Sequence, residues 1–259
     1  MQDLRVTLVQ ANQIWEDKQL NLENYSRLLL NSKDTDLIVL PEMFHTSFSM
    51  NAEKFAETMN DSLGLNWLKA TSKEKNCAVY TSLIIKENGK FYNRGVFVYP
   101  SGEISIYDKR KTFGLAGEDK IFTSGNDKTI VEYKGWKLQL QICYDLRFPE
   151  ISRNELDSNQ SPLYDVLVYV ANWPEKRKKH WETLLTARSI ENQSYVIGLN
   201  RVGEDGTGLI YSGDSQVSDL LGEVDKLTSK TEEIKQITLN KENLIKTRLI
   251  LPFLKDKFC

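Results

Sequence analysis

Short apolar runs with the character of strands alternate along this chain with segments of helical periodicity, and this alternation restricts the possible folds more than any other feature. The first run, residues 4–10 (LRVTLVQ), is typical of a strand. Residues 17–30 then carry apolar side chains at the i, i+3 and i+7 positions of one helix face, namely Leu22, Tyr25 and Leu29. Residues 36–42 (DLIVLPE) return to a short apolar run. The sequence therefore opens with a predicted β-α-β unit.

The same alternation continues through the rest of the chain. We expect further strands at residues 77–85, in a hairpin formed by RGVFVY and ISIY around the turn PSGE, and in WKLQLQIC, DVLVYVAN and YVIGLN. A helix is predicted from about Lys178 to Asn192. Buried strands and helices in alternation indicate a layered α/β architecture. No linker rich in Pro, Gly or Ser divides the chain, so residues 1–259 are predicted to form a single domain.

Charge and hydropathy argue against several classes of function. The 34 Lys and Arg residues nearly balance the 36 Asp and Glu residues, and the net charge of −2 comes with no basic stripe. Nucleic acid is therefore not expected as a partner. The longest apolar runs fall far short of the roughly 18 residues that indicate a membrane span, so no membrane association is expected. The N-terminal segment lacks the pattern of a secretory signal, and a cytoplasmic location is expected.

Three of the strand-like runs end in a side chain that can take part in catalysis. DLIVLP leads to Glu42, ISIYD leads to Lys109, and LQLQI leads to Cys143. Functional residues of α/β proteins cluster beyond the C-terminal ends of strands, where the chain leaves the sheet. A carboxylate, an ammonium group and a thiol at one sheet edge can form a nucleophilic site. Taken singly, Glu42 could be a surface turn residue and Lys109 a solvated charge in DKRK.

Cys143 is the candidate nucleophile. A lone cysteine is more often a small buried apolar residue. Here, however, CYDLRFPE ends the strand abruptly in polar and charged residues. A thiol at such a turn faces a pocket, and the backbone N–H of Tyr144 would point toward an oxyanion.

The other cysteines and the histidines are weaker candidates for catalytic or metal-binding roles. Cys77 and Cys259 have no comparable context, and three cysteines at wide spacing fit neither a disulfide framework nor a metal cluster. His45 and His180 lie in no recognisable cysteine-protease setting, and two histidines do not suffice for a histidine-rich metal site. We therefore expect no metal and take Glu42 as the base. Partial desolvation after an apolar strand and a proline would raise the pKa of this carboxyl toward the range of a general base.

Glu42, Lys109 and Cys143 are separated by 67 and 34 residues, and the segments around them resemble those of the nitrilase superfamily of carbon-nitrogen hydrolases in order and spacing. The shared segments are LPEMF around Glu42, YDKRKTF around Lys109, GEDKIFTSGN around Glu118, ICYDLRFPE around Cys143, and HWETLLTARSIENQSYVIGLNRVG. The resemblance runs from VTLVQ to at least GDSQVSDLLGE. It implies a single carbon-nitrogen hydrolase domain with the α/β fold of that superfamily, a four-layer α-β-β-α sandwich.

The resemblance also implies a role for each matched residue. Cys143 attacks an amide carbonyl as a thiolate, Glu42 passes its proton to the leaving ammonia, and a thioester results. Lys109 and the Tyr144 N–H stabilise the oxyanion. Glu118 holds Lys109 and the substrate amide in place. Thiol, carboxylate and ammonium supply every proton and charge that the reaction needs, so no cofactor is expected.

Within the superfamily, CYDLRFPE and ANWP are most similar to the ω-amidase branch, which hydrolyses α-keto acid amides such as 2-oxoglutaramate and 2-oxosuccinamate. Aliphatic amidase, N-carbamoyl amide hydrolase, deaminated-glutathione amidase and nitrilase activities remain open. Arg147 could supply a cation for the substrate carboxylate, and Phe44, Phe113 and Trp173 an apolar wall. The alternatives are a structural arginine and aromatic rings that belong to the core.

Two positions depart from the pattern of the superfamily. Lys111 stands where a histidine is common, and Thr112 stands in place of leucine, which leaves the shape of the substrate loop open. A homodimer is expected because members of the superfamily are commonly homodimers or larger. A metal-dependent phosphoesterase and a non-catalytic binding module are the alternatives from other classes. The first needs His and Asp pairs around a metal, and the second would have lost a member of the triad.

Overall fold

The computed structural model describes residues 2–256, so Cys259 lies outside the described residues. Two six-stranded sheets form the body of the protein. The first sheet contains, in spatial order, β14 (Glu233–Leu239), β1 (Leu4–Gln10), β2 (Leu37–Val39), β3 (Ala78–Glu87), β4 (Lys90–Val98) and β5 (Ile104–Asp108). The second contains β13 (Val224–Lys226), β12 (Gln216–Ser218), β9 (Tyr195–Asn200), β8 (Val166–Ala171), β7 (Trp136–Ile142) and β6 (Ile130–Tyr133). A separate ribbon pairs β10 (Val202–Glu204) with β11 (Ile210–Ser212).

The helices lie mostly in the connections between strands. They are α1 (Lys18–Leu29), α2 (Ala52–Phe55), α3 (Leu63–Lys75), α4 (Glu118–Ile121), α5 (Pro149–Ser152), α6 (Lys178–Asn192) and α7 (Lys241–Ile250). Strands β1, β2 and β3 run parallel, and so do β7, β8 and β9. Parallel neighbours need a long crossover, commonly a helix, and α1, α3 and α6 lie in such connections. Antiparallel strands complete both sheets at their edges.

The two sheets pack face to face and the main helices cover their outer faces. Side chains of β1 alternate between the two faces of the first sheet, since Val6 and Leu8 join the core between the sheets while Val9 joins the core beneath α1 and α3. Helix α6 buries Trp181 and Leu185 against the second sheet. The layers are therefore helix, sheet, sheet and helix, and the predicted four-layer α-β-β-α sandwich is confirmed.

The helix boundaries follow local sequence signals. The Asp17 carboxylate accepts a hydrogen bond from the Leu20 N–H at the start of α1, and the Ser62 hydroxyl accepts one from the Leu65 N–H at the start of α3. Such caps satisfy N–H groups that the first turn of a helix leaves without partners. Helix α6 spans the range that the sequence predicts, and Gln193, the residue that follows it, has a left-handed backbone conformation.

Several elements were not evident from the sequence, among them α3, α7 and β14. Strand β14 pairs with β1 over its whole length, yet Leu239 is its one buried residue, and EIKQITL shows no continuous apolar run. Strands β3 and β4 form a hairpin that turns at Asn88 and Gly89, both with positive φ. This residue pair is typical of a two-residue turn, which requires positive φ at both positions.

The fold brings three strand ends to the same region. Glu42 follows β2, Lys109 follows β5 directly, and Cys143 follows β7 directly. The first two come from one sheet and the third from the other, so the packing of the sheets sets the distances between them. None of the helices within residues 2–256 is long and apolar enough to cross a membrane.

Candidate active site

A buried lysine between two carboxylates forms the centre of the site. Lys109 Nζ donates to Glu42 Oε1 at 2.8 Å and to both carboxylate oxygens of Glu118 at 2.9 Å. The three side chains are 1% exposed or less. Burial alone would lower the pKa of Lys109, but the Glu118 and Glu42 carboxylates outweigh it and hold the pKa above its ordinary value. The lysine is therefore a fixed cation.

Glu42 is oriented by donors from several segments. Its Oε1 also accepts from Asn93 Nδ2 at 2.8 Å, and its Oε2 accepts from the Asn172 backbone N–H at 2.8 Å. The Asn172 side chain donates to the Glu42 carbonyl at 2.6 Å. Asn93 also reaches Glu118, at 3.1 Å. One oxygen of Glu42 is thus held toward the lysine and the other toward the end of β8.

Cys143 lies at a sharp turn after β7. Its φ is +46°, a left-handed conformation that is strained for a non-glycine residue and is held by the surrounding structure. The Sγ atom lies 3.9 Å from the Asn172 carbonyl oxygen, and the residue is 9% exposed. Burial, followed by the Glu42 carboxylate, raises the pKa of the thiol well above its ordinary value, while Lys109 acts in the opposite direction. The thiol therefore keeps its proton at neutral pH, and its activation needs a base.

Asp145 joins this turn to the loop after β5. The carboxylate is fully buried and accepts hydrogen bonds from the Ile142 N–H at 2.9 Å, the Lys111 N–H at 2.9 Å and the Tyr107 hydroxyl at 2.7 Å. Burial raises the pKa of Asp145 to about 6, although all three hydrogen bonds favour the ionised form. The residue before the thiol is thereby tied to the loop that carries the ammonium group.

The cluster opens onto a cavity of about 480 Å³, which Cys143, Lys109 and Asn172 help to line. Tyr144 lines it too. The Tyr144 N–H lies in the first turn of the 3-10 helix Cys143–Arg147, where the helix itself offers no acceptor. The apolar part of the lining consists of Trp15, Phe48, Met50, Phe113, Ala116, Trp173, Pro174 and Leu209.

Two arginines lie on the cavity wall. Arg147 stacks on the Trp173 ring at 4.7 Å, and Arg177 on the Phe113 ring at 5.2 Å. Arg147 Nη2 is also 3.2 Å from His180 Nδ1. Burial, followed by the charge of Arg177, lowers the pKa of Arg147 from its ordinary value. Within residues 2–256 neither guanidinium forms an ion pair with a carboxylate.

The structure places most of the sequence-derived candidates at this cavity or in the cluster beside it: Glu42, Lys109, Glu118, Cys143, Tyr144, Arg147, Phe113 and Trp173. Phe44 is the exception. Its side chain is fully buried, and its ring lies 5.4 Å from that of Tyr25 and 5.6 Å from that of Trp67. Phe44 belongs to the core beneath α1 and α3 and does not line the cavity, so the expectation that it forms a substrate wall is corrected.

The two residues that depart from the pattern of the superfamily lie beside the cavity lining. Lys111 places its ammonium 4.5 Å from the centre of the Phe148 ring, and the Thr112 hydroxyl is 3.3 Å from that of Ser124. Neither side chain lines the cavity. The contribution of Lys111 to the site is its backbone N–H, which any residue other than proline provides.

Two other reactive side chains, those of Cys77 and His45, lie in the core. Cys77 is fully buried, and burial raises the pKa of its thiol to about 12. His45 is fully buried as well, with Nε2 3.1 Å from Glu57 Oε1. Among the residues that the structure describes, no group of three or more His, Cys, Asp or Glu side chains could hold a metal ion.

Sequence reasoning missed Asn93, Asp145, Asn172 and Arg177. Asn172 follows the apolar strand β8 directly, so the rule that found the other strand ends would have found it. Asp145 lies two residues after the thiol, but the sequence does not reveal the three groups that donate hydrogen bonds to its carboxylate. Asn93 lies within β4, where only the packing reveals which way a side chain points.

Replacing Asp145 by asparagine tests its role in joining the two loops. Every hydrogen bond to the carboxylate is a donated one, so an amide NH2 group would face at least one N–H or O–H donor. We expect Asp145→Asn to lower the free energy of unfolding by about 1–3 kcal/mol, the usual cost of leaving a buried hydrogen-bond donor without an acceptor. Denaturant titration at pH 7.5 measures it. The exposed Asp127→Asn change is the control and should stay within about 0.5 kcal/mol of wild type.

Comparison with known proteins identifies the family of this chain. The family model described as carbon-nitrogen hydrolase matches residues 5–248. The chain is 44% identical over 224 residues to Omega-amidase YafV of Yersinia enterocolitica, covering 86% of this chain and 84% of that protein. It is 32% identical over 234 residues to 2-oxoglutaramate amidase of Paenarthrobacter nicotinovorans, covering 86% and 78%.

A solved structure shows the same architecture over the full chain. The CN-hydrolase superfamily protein XC1258 of Xanthomonas campestris, which carries an arsenic adduct in its active site, superposes with a TM-score of 0.97 at 36% identity. The match covers 100% of this chain and 98% of that one. On its sequence and its structure, this chain belongs to the carbon-nitrogen hydrolase family, within the nitrilase superfamily.

Proposed function

We propose that this protein hydrolyses the side-chain amide of small α-keto acid amides, such as 2-oxoglutaramate and 2-oxosuccinamate, to the keto acid and ammonia. The observation that carries the proposal is the buried contact of Lys109 with Glu42 and Glu118 beside the Cys143 thiol. The Omega-amidase and 2-oxoglutaramate amidase relatives support this substrate class. The chain acts as a single carbon-nitrogen hydrolase domain.

Glu42 is the base for the Cys143 thiol. Because the pKa of the thiol is raised, the sulfur has to lose its proton as it attacks. A bond forms between Sγ and the amide carbon while the Glu42 carboxylate takes the proton. Glu42 then gives this proton to the amide nitrogen, the C–N bond breaks, and ammonia leaves. The acyl group remains on Cys143 as a thioester.

Lys109 and the Tyr144 N–H stabilise the oxyanion that forms during the attack. The three N–H donors of the Lys109 ammonium meet oxygens of Glu42 and Glu118, so its charge is in place before substrate binds. A pre-positioned donor such as the Tyr144 N–H in a dry site typically contributes about 3–4 kcal/mol to lowering the barrier. The oxyanion shares the lysine with the carboxylates, so its stabilisation by Lys109 depends mainly on charge.

The same groups serve the second half of the reaction. A water molecule attacks the thioester carbon and gives a proton to Glu42, after which the C–S bond breaks and the proton returns to the thiolate. Glu118 positions Lys109. Its Oε2 also accepts a hydrogen bond from the Phe113 N–H at 2.6 Å, which couples the lysine to the cavity wall.

Arg147 binds the substrate carboxylate in this proposal. Its guanidinium lies on the cavity wall, stacked on Trp173, and Arg177 on Phe113 adds a second positive charge nearby. Neither arginine has a carboxylate partner within residues 2–256, so an anionic substrate would supply one. Trp173 and Phe113 form the apolar sides of this binding site.

A cytoplasmic location and a homodimer are part of the proposal. Apolar side chains near the end of α6 and in the C-terminal segment are exposed and support an interface with a second copy: Ile190, Leu249, Ile250 and Phe253. Exposed apolar groups that lie close together commonly mark protein contacts. Gln193, at the end of α6, accepts a hydrogen bond from the Leu254 N–H, so the two regions adjoin.

The Cys143→Ala variant tests the nucleophile. We expect it to fold normally and to release no ammonia from 2-oxoglutaramate, because no thioester can form. The buried Cys77→Ala variant is the matched control and should keep wild-type turnover per folded molecule. Ammonia release is measured in a coupled assay, and circular dichroism checks the fold. Full activity in Cys143→Ala would refute the mechanism.

The Lys109→Ala variant tests the oxyanion donor. We expect kcat to fall by about 10²–10³, the usual effect of removing one such donor. The free energy of unfolding should also fall by about 3–5 kcal/mol, because two buried carboxylates lose their counter-charge. Lys111→Ala, two residues along the same loop, removes a partly exposed ammonium and should change neither quantity by a comparable amount. An unchanged kcat in Lys109→Ala would remove the lysine from the mechanism.

The Arg147→Ala variant tests substrate recognition. Losing a charge-assisted contact to the substrate carboxylate should cost about 1.5–3 kcal/mol, or roughly ten- to a hundredfold in kcat/KM on 2-oxoglutaramate, mostly through KM. Pentanamide, a neutral amide of the same length, should be hydrolysed poorly by wild type and equally poorly by the variant. Arg153→Ala, at a half-exposed arginine, is the control. If wild type prefers pentanamide, the α-keto acid assignment fails and only the broader amidase assignment stands.

A further inference from the structure

The cavity has a second apolar wall that the reaction proposed above does not use. We define the apolar wall by Trp15, Phe48, Met50 and Leu209, all of which line the cavity. These residues come from the loops after β1 and β2 and from the turn of the β10–β11 ribbon. The arginine wall, defined by Arg147, Trp173, Arg177 and Phe113, comes from other segments. A substrate that bound only the arginine wall would leave the apolar wall in contact with water.

The apolar wall is built as a fixed surface. Arg201 is fully buried, and its guanidinium donates to the Ser47 hydroxyl at 2.5 Å, to the Gln13 carbonyl at 2.8 Å and to the Glu204 carbonyl at 3.1 Å. These acceptors belong to the three segments that carry the wall. One side chain therefore ties the three segments together, and a surface fixed in advance binds apolar groups with little loss of conformational entropy.

The cavity is also larger than the proposed substrate requires. Its volume of about 480 Å³ falls within the range of about 300–1,000 Å³ that is usual for sites of drug-sized ligands. A five-carbon keto acid amide fills only part of such a site. Many of the side chains that line the cavity are apolar, and an apolar group displaces water favourably beside such side chains.

We propose that the apolar wall is a subsite for an apolar substituent on the amide nitrogen, so that the protein also hydrolyses secondary amides that release an alkyl or aryl amine. The inference rests on the proposed function, because it requires the acid end of the substrate to occupy the arginine wall. Glu16 and Asp205 line the cavity with the apolar wall and would repel a carboxylate there.

The geometry of an amide directs the two ends of such a substrate to different walls. The acyl chain and the nitrogen substituent leave the carbonyl carbon in different directions, so an acid end on the arginine wall turns the nitrogen away from it. The nitrogen must also reach Glu42 to receive a proton. The Phe48 ring lies 5.2 Å from Lys109 Nζ, which contacts Glu42, so the departing nitrogen lies close to the apolar wall.

The chemistry balances as it does for a primary amide. The Cys143 sulfur forms a bond to the carbonyl carbon, and the C–N bond breaks. The nitrogen keeps its one hydrogen and gains the thiol proton through Glu42, so a primary amine leaves. Water then cleaves the thioester to the same acid, and the thiol is restored.

The test compares 2-oxoglutaramate with its N-propyl, N-(2-hydroxyethyl) and N-benzyl derivatives on the full-length protein, with chromatography to measure the released amine and 2-oxoglutarate. The N-propyl and N-(2-hydroxyethyl) groups have the same number of non-hydrogen atoms and differ in polarity. We expect both the N-propyl and the N-benzyl amide to be hydrolysed, and the N-propyl amide to exceed the hydroxyethyl amide about tenfold in kcat/KM. Equal values for these two, or no release of propylamine or benzylamine, would overturn the inference.

A pair of neighbouring variants links the effect to the wall. Leu209 lines the cavity, whereas Ile210 is 51% exposed and does not line it. We expect Leu209→Ser to lower the ratio of kcat/KM for the N-propyl amide to that for the primary amide by several-fold, and Ile210→Ser to leave this ratio unchanged. If Leu209→Ser and Ile210→Ser lower this ratio equally, the proposed subsite is overturned. If the primary amide is hydrolysed and the secondary amides are not, this inference fails alone. If no amide is hydrolysed, the proposed function fails first.

Discussion

The ion cluster of Lys109, Glu42 and Glu118 is the interaction on which the rest of the site depends. Removing three charged groups from water carries a large desolvation cost, which the mutual contacts at 2.8–2.9 Å offset only if the geometry is held closely. Asn93 supplies further donors to both carboxylates. With one cation and two anions the cluster has a net negative charge, and in the mechanism that we propose this charge helps to keep the neighbouring thiol protonated until Glu42 takes its proton. The arrangement favours a proton transfer coupled to attack over a preformed thiolate.

Much of the fold and the core of the site could be predicted from sequence because they follow local rules. Period-two and period-3.6 patterns located most of the strands and α6, and polar residues at strand ends located Glu42, Lys109 and Cys143. Other features depend on distant packing. Phe44 is two residues from Glu42 in sequence, yet its ring packs with Tyr25 and Trp67 and away from the cavity. No local pattern reveals the direction of the Phe44 side chain, because this direction is set by contacts with helices that precede and follow Phe44 in the chain.

Arg177 and Asn93 are two further residues whose place at the site could not be predicted from the local sequence. Arg177 lies in a run of charged residues, EKRKK, that has the composition of a solvated surface. Only the stacking of Arg177 on Phe113, a residue from a loop 64 positions earlier, places it on the cavity. Asn93 lies inside a strand, where a polar side chain predicts an exposed face, but here it faces two carboxylates. Polar residues whose partners lie far away in sequence are those that composition and periodicity misplace.

The site is assembled across the interface between the two sheets. Glu42 and Lys109 follow strands of the first sheet, whereas Cys143 and Asn172 follow strands of the second. Within the interface, the Tyr80 hydroxyl on β3 donates to the Gln141 carbonyl on β7 at 3.0 Å, two residues before the thiol. The distances between these residues are therefore set by how the sheets pack, and close-packed interiors transmit small shifts because they have little free volume. A core between two sheets of this kind does more than stabilise the fold, since it holds a thiol from one sheet close to a carboxylate and an ammonium group from the other.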